Sequence, residues 1–375
     1  MAIIAGGKGI RAQVDANPLI INGDMMVAQR GTSTASITGS DVFVVDRWRL
    51  DEGADSTITM SQESLSSGNA FDNGFLKSLK VLFTTADSSV ASNQSVQLMQ
   101  HVEAQDCQLL KFGTSNAVDL TLAFWYKSNV TGTHVVTLDK PDSTRTTCPV
   151  EFTVSSSGAW EHKVLNFNAD DTIKGSSGAI ANDNGTGLRV MWNLLYGSDY
   201  TSGTNGDWTQ GGVGHFSTSN QQNIGGSNNN YVEVTGVQLE IGQFSSSTLP
   251  PFKHESYGDN LARCHRYFEH RGYTTSNQQV FTGQTISTTK CTGPTYYGVK
   301  RAAPAITMGS AICGNQHNGV AGSVTALSTL QIGLDTARLD VTHNASTANF
   351  AITQGMAYVQ LDDTGIDGLK FDAEL

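Results

Sequence analysis

Between residues 118 and 127 the chain alternates along its length. Val118, Leu120, Leu122, Phe124 and Tyr126 share one parity, while Asp119, Thr121, Trp125 and Lys127 share the other. A period of two places those apolar side chains on one face of an extended strand and leaves the other face to polar groups. The same period recurs at residues 79–84, 94–102, 150–155, 160–167 and 188–196. One covered and one wetter face per strand is the signature of antiparallel sheets. Composition points the same way. Charged residues make up 15% of the chain, against a usual ~25%, and Ser, Thr, Asn and Gln carry the polarity instead. Surface helices wet their outer faces with Lys, Glu and Arg, so such a chain favours strands and turns.

At 375 residues, and roughly 150 residues per domain, two or three domains are expected. The spacing predicts an N-terminal arm at 1–18, a jelly-roll-like antiparallel β-sandwich at 19–250, a linker with one α-helix at 251–273 and a smaller C-terminal β domain at 274–375. The arm is small-residue and glycine-bearing and ends on Asn17-Pro18, which favours an extended lead-in. In the run 231–241 the apolar parity switches between Val234 and Val237, and Gly236 at the switch predicts a β-bulge that restores one buried face. The segment between Tyr196 and Tyr231 is rich in Gly, Asn and Ser and predicts a long, contact-making or functional loop.

After Pro250-Pro251, Tyr257, Leu261, Cys264 and Phe268 recur at helical spacing. Ser256 and Asp259 supply an N-cap, cations stand at 266, 270 and 271, and Gly272 supplies a stop, which predicts a helix over 256–271. Beyond it, strands are expected at 279–287, 305–312, 329–342 and 356–361, with a terminal strand over 369–375. The apolar stripe of the helix, broadened by Tyr267 and Tyr273, has more area than one neighbour covers. Tyr257, Leu261, Cys264 and Phe268 are therefore candidates for an oligomer interface, with a helix packed inside its own chain as the alternative.

Charge and motifs remove several function classes. A net charge of −11 disfavours nucleic acid, which needs a basic face. The opening apolar stretch is short for a signal sequence, and no later run approaches the ~18 apolar residues of a membrane span. Five widely spaced cysteines without a C-x-x-C pair read as buried free thiols. Residues 7–12 fit G-x-G-x-x-A formally, but Pro18 and the absence of a parallel unit deny it a nucleotide fold. His254-Glu255 opens like a zinc-protease helix, yet Gly258 stands where the second His belongs. The neighbouring acids Asp170-Asp171 and Asp362-Asp363 read as solvated turns rather than as a glycosidic pair. The expectation is no catalytic residue, no metal and no cofactor.

Aromatics in polar settings are the more telling set. Sugars stack on flat rings while amides and carboxylates bond their hydroxyls, so Trp125 on the polar parity of its strand and Tyr200, Trp208 and His215 in the long loop are the ligand-binding candidates. For Trp208 the competing reading is a ring that pins its loop to the body or meets a second subunit.

Three segments together resemble a family of bacteriophage virion proteins, the tail fibre or tail-appendage proteins with a carbohydrate-binding-like jelly roll. They are Asn17-Pro18-Leu19-Ile20-Ile21-Asn22-Gly23-Asp24 with Gln29-Arg30-Gly31 and Asp46-Arg47-Trp48; Val234-Thr235-Gly236-Val237-Gln238-Leu239-Glu240-Ile241-Gly242; and Pro251-Phe252 with Ser256-Tyr257-Gly258-Asp259 and Arg263-Cys264-His265-Arg266-Tyr267-Phe268. The ending Phe371-Asp372-Ala373-Glu374-Leu375 is similar to the usual end of such chains. Residues 273–368 match only in general β, Ser/Thr-rich character, and Met26 to Ala28 stand where relatives often carry an aromatic. The resemblance implies a non-enzymatic virion protein of the tail, assembled in the host cytoplasm as a homotrimer. It further implies that residues 1–18 dock on another virion protein, and that the outer domain contacts a glycan or protein of the host surface. The alternatives are a purely structural fibre-anchoring or capsid-decoration protein, and a polysaccharide depolymerase.

Overall fold

The computed structural model describes residues 18–272, 279–315, 321–344, 357–361 and 368–375. The expected arm, apart from Pro18, lies outside them, as do Tyr273, Met356, Asp362 and Asp363.

Two antiparallel sheets face each other across a core, as the alternation predicts. One has six strands in the order Ser33–Ile37, Thr57–Ser64, Lys77–Thr85, Tyr231–Ile241, Leu120–Ser128, Glu161–Phe167. The other has seven, in the order Thr209–Gln210, Thr146–Val154, Gly132–Lys140, Thr186–Tyr196, Ser95–Glu103, Arg49–Gly53, Val42–Phe43. Neighbours in each sheet are mostly distant in sequence, the mark of a jelly-roll-like sandwich. Leu120, Leu122, Phe124 and Tyr126 point into the core with Trp48, Phe83, Phe152, Phe167 and Trp192. The rings meet at angles, Phe124 edge-on to Trp192 at 5.2 Å and to Phe152 at 5.4 Å. Tyr126 satisfies its hydroxyl inside this core on His134 Nδ1 at 2.9 Å, while His134 Nε2 donates to the Val130 carbonyl.

The bulge lies where the parity switch places it. Pairing of Tyr231–Ile241 with Leu120–Ser128 slips between Thr235 and Gln238, and Gly236 has φ 62°. A Cβ there would stand 2.6 Å from the Phe75 ring, so the position requires glycine twice over.

The helix is shorter than its apolar spacing suggests. It spans Tyr257–His265, capped by Ser256, which accepts from the Asp259 amide at 3.1 Å. The chain then turns, and Phe268–Arg271 becomes a strand. Phe268 therefore belongs to a sheet, because its backbone pairs with Leu369–Asp372 of the C-terminal end. That terminal strand, expected over 369–375, ends at Asp372 and is central, with Ala305–Met308 on its other side.

The C-terminal unit is a closed six-stranded barrel in the order Gln279–Ser287, Lys290–Tyr296, Thr336–His343, Ala321–Ile332, Ala311–Asn315, Ala357–Leu361. The stretch expected as one strand over 329–342 is a hairpin broken at residues 333–335, and 305–312 divides between two strands of different sheets. Closure removes sheet edges, which suits a small unit with a modest core around Phe281, Leu339, Val341, Val359 and Phe371.

Candidate functional site

The outer face of the seven-stranded sheet carries Met99, Met191, Thr137, Asp139, Arg189 and Asn193. The predicted long loop lies across it. Asn193 Nδ2 and the Thr137 hydroxyl both donate to the Phe216 carbonyl, at 2.7 Å and 2.5 Å, and the Phe216 ring packs on Met99 and Met191. Tyr200 stacks on Phe216 at 12° between planes, and its hydroxyl donates to the Asn93 carbonyl at 3.0 Å. His215 bonds the Ser202 carbonyl through Nδ1. Charge on this face is neutralised locally. The fully buried Asp139 receives Arg145 at 2.7 and 2.8 Å and Arg189 at 3.5 Å, and Arg145 lies 4.6 Å above the Phe216 ring.

Of the four aromatic and imidazole candidates, Tyr200 and His215 thus come together, holding the loop down. Trp208 sits apart, its indole N–H on the Asn168 carbonyl at 2.7 Å and its ring edge-on to Phe112 at 5.5 Å. This is the geometry of a ring that pins its loop. Trp125 lies on the opposite sheet beside His162, with 4.9 Å between ring centroids. The structure does not gather the four into one site.

The interface candidates divide in a similar way. Cys264 and Phe268 are buried within their own chain, Cys264 beside Ile21, Val27 and Tyr267. Leu261 is half-buried against the same cluster, and Tyr257 remains exposed. Most of the expected unpaired stripe is therefore covered internally, because residues 20–27 lie along it.

A groove absent from the sequence reading lies on the barrel. It encloses about 860 Å³ and is lined among others by Gln284, Thr292, Tyr296, Gln331, Thr336 and Arg338. Its floor is set by a close crossing in which a Cβ on Gly283 would meet the Thr292 carbonyl oxygen at 2.3 Å. Arg338 Nε donates to Thr292 Oγ1 at 3.2 Å, leaving the rest of the guanidinium beside the groove. Tyr296 is 64% exposed, and the exposed apolar residues Val299, Leu330, Ile332 and Leu334 occur in the same part of the chain. Among the described residues, no carboxylate lines the groove. The strand that carries Tyr296 escaped the sequence reading because Gly293-Pro294 in its middle signals a turn. In the barrel Pro294 is tolerated opposite Arg338. The legible signal was the alternation of Cys291, Gly293 and Thr295 inward against Lys290, Thr292, Pro294 and Tyr296.

The remaining concentration of chemistry is a buried joint between the sandwich and the chain terminus. Arg47, 2% exposed, pairs with Glu374, donates to the His101 carbonyl and lies 3.3 Å over the Tyr267 ring. Arg30 pairs with Asp372 at 3.1 Å and lies 3.5 Å over Phe268. Arg266 forks onto the buried Glu103 at 2.6 and 2.8 Å. Burial pushes the Glu103 carboxyl up, but the bonds from Arg266, Tyr267 and Gln105 outweigh it and hold the group below its ordinary range. Asp46 has no exposure and accepts from the Gln29 amide at 2.9 Å and from its side chain. Burial dominates there and raises its pKa to about 6 despite Arg30 and Gln29. The carboxylates of this joint are paired within the chain, Glu103 with Arg266 and Glu374 with Arg30 and Arg47, so its arrangement holds parts of the chain together. Among the described residues no cluster of His, Cys, Asp and Glu is arranged to hold a metal.

No protein-family model matches the chain, and the search of curated proteins gives no match. Among solved structures it is similar to the enzymatically active domain of tailspike protein 4 of bacteriophage CBA120, at 10% identity and a TM-score of 0.31 over 60% of this chain. The chain spans 21% of that tailspike's length. It is also similar to the CBM22-2 xylan-binding domain of Xyn10C from Paenibacillus barcinonensis, at 14% identity and a TM-score of 0.27 over 52% of this chain and 91% of the other. The tandem CBM22-1–CBM22-2 domain of the same protein gives 9% identity, a TM-score of 0.27 and coverage of 93% and 98%. With TM-scores this low, the jelly-roll assignment rests on the order of the sheets themselves.

Proposed function

We propose that this chain is a non-enzymatic component of a bacteriophage tail that attaches the particle to a glycan of the host surface. In this reading the barrel groove makes the contact, and the observation that carries it is the exposed Tyr296 ring beside Gln284, Thr292, Gln331 and Arg338. An aromatic face with amide, hydroxyl and guanidinium donors around it is the chemistry that grips a sugar ring and its hydroxyls. The lack of a carboxylate among the described lining residues supports binding over hydrolysis, which needs an acid pair. The ordered motifs at residues 17–48, 234–242 and 251–268 support the placement in a virion. The arm at 1–18 then supplies attachment to another virion protein, and a homotrimer multiplies weak contacts into avidity.

The test is binding of the purified chain to polysaccharide isolated from the host surface. Tyr296→Ala and Arg338→Ala should each weaken binding about tenfold or more, with an unchanged melting curve because both side chains are exposed. Unaltered binding by both variants refutes the groove. Release of reducing ends refutes the non-enzymatic reading, and absence of binding in a protein that still assembles favours a purely structural part. Light scattering on the same sample reads the assembly, and a monomer mass refutes the trimer.

A further inference from the structure

Of the five cysteines, Cys107, Cys148 and Cys264 are each buried alone, and burial pushes their thiols up. Cys291 and Cys313 differ. Both are fully buried, and their sulfurs face each other at 3.0 Å inside the barrel. They stand on Lys290–Tyr296 and Ala311–Asn315, which lie three positions apart whichever way the closed ring is followed. The two sulfurs therefore meet across the barrel's interior from opposite walls. A disulfide needs sulfurs at about 2.05 Å, so the gap to close is about 1 Å.

We propose that Cys291 and Cys313 are an oxidation site, a dithiol that closes to a disulfide across the barrel once the protein meets a small peroxide outside a reducing cytosol. Either sulfur can donate to the other, and the bond favours a thiolate on the acceptor; with Cys313 donating, Cys291 is the nucleophile and Cys313 the resolving thiol. Cys291 thiolate attacks one peroxide oxygen, the O–O bond breaks and hydroxide leaves, giving a sulfenic acid. The Cys313 sulfur then attacks that sulfur, the S–O bond breaks, and the oxygen departs as water with the thiol proton. Two thiols are oxidised and one peroxide is reduced. A small oxidant is required because neither sulfur reaches solvent. The cross-link joins residues 22 apart in sequence and covalently ties two strands that are not paired in the barrel.

The experiment takes the full chain, reduced, and treats it with hydrogen peroxide before quenching and denaturing alkylation. Three of the five thiols should then alkylate, with peptide mapping placing the bond between Cys291 and Cys313. Hydrogen exchange of barrel amides should slow about a hundredfold, an effect reversed by reductant and missing in Cys313→Ala. Alkylation of all five thiols after oxidation, or a bond to another cysteine, overturns the proposal. So does a correctly placed bond that leaves barrel exchange unchanged. Should Cys313→Ala not fold, the wild-type comparison before and after reductant decides alone.

Discussion

Asp46 sets the clearest quantitative expectation. Its carboxyl is fully buried, sits among Gln29, Arg30 and Glu374, and has its pKa raised from 3.8 to about 6, with loss of hydration as the largest cause. A raised acid pKa means that the folded state binds the proton more tightly than the unfolded chain. Stability is therefore highest below the unfolded value and falls as pH rises through the window from 3.8 to about 6. A shift of roughly two units corresponds to about 3 kcal/mol of stability lost across it. His134 opposes this trend. Held neutral by burial with a pKa near 4, it costs stability as pH falls from 6.5. The wild-type profile alone thus mixes both, and the comparison with Asp46→Asn isolates the carboxylate. Urea unfolding followed by tryptophan fluorescence reports the sandwich, because all five tryptophans precede residue 250. The variant carries a constant offset, since its new amide faces the Gln29 amide that Asp46 accepts. On top of that offset, wild type should lose about 2–3 kcal/mol relative to the variant between about pH 4 and about pH 7. Parallel curves would refute the reasoning. A wild type that gains on the variant with rising pH would show Asp46 acting as an ordinary ion-pair partner of Arg30.

Gly236→Ala should destabilise the sandwich by about 2–4 kcal/mol, the sum of a left-handed residue and a Cβ forced against Phe75; a loss below about 1 kcal/mol in urea unfolding would mean that the bulge relaxes. Arg266→Met leaves the buried Glu103 without its forked partner and should cost about 3 kcal/mol. In the same variant the Glu103 pKa should rise, read by carboxyl NMR, and an unchanged value would deny the pairing.

What the sequence revealed follows from where information is local. The strand at residues 118–127 and the switch at Gly236 were legible because period and parity are properties of one segment. The helix was overextended because Phe268 keeps helical spacing from Cys264, and only the distant partner strand Leu369–Asp372 makes it a strand residue. The same non-local pairing hid the fate of the stripe, since Ile21 and Val27 cover it from more than two hundred positions away. The strand at Lys290–Tyr296 and the first part of Ala321–Ile332, up to residue 328, escaped because Gly-Pro and a Ser/Thr-rich composition read as loop until a barrel supplies their partners. For the aromatics, parity and loop placement are local properties, and their neighbours are not. Trp208 becomes a pin only when Phe112 and Asn168 are seen beside it.

The three motif segments at residues 18–48, 234–242 and 251–268, with the chain end, do not form the groove. Asn22 holds the Val27 and Asp46 carbonyls through its amide, and its own carbonyl accepts the Trp48 indole. Gly23 lies so close to the bulge that a Cβ would meet the Val237 oxygen at 2.2 Å, and its carbonyl accepts the Val237 amide at 2.9 Å. Arg30 and Arg47 reach from the same stretch to Asp372 and Glu374, over Phe268 and Tyr267. Three motifs and the chain end are thus one object, a desolvated joint in which each charge needs a particular partner. Such a joint tolerates few side-chain identities, and so it writes short, specific strings into the sequence. A groove that grips hydroxyls can be built from Ser, Thr, Asn, Gln, Tyr or Arg in many arrangements, and so it writes none. The proposed division of labour follows from that contrast: residues 18–48, 234–268 and 369–375 form the mount, and the barrel between them carries the contact surface.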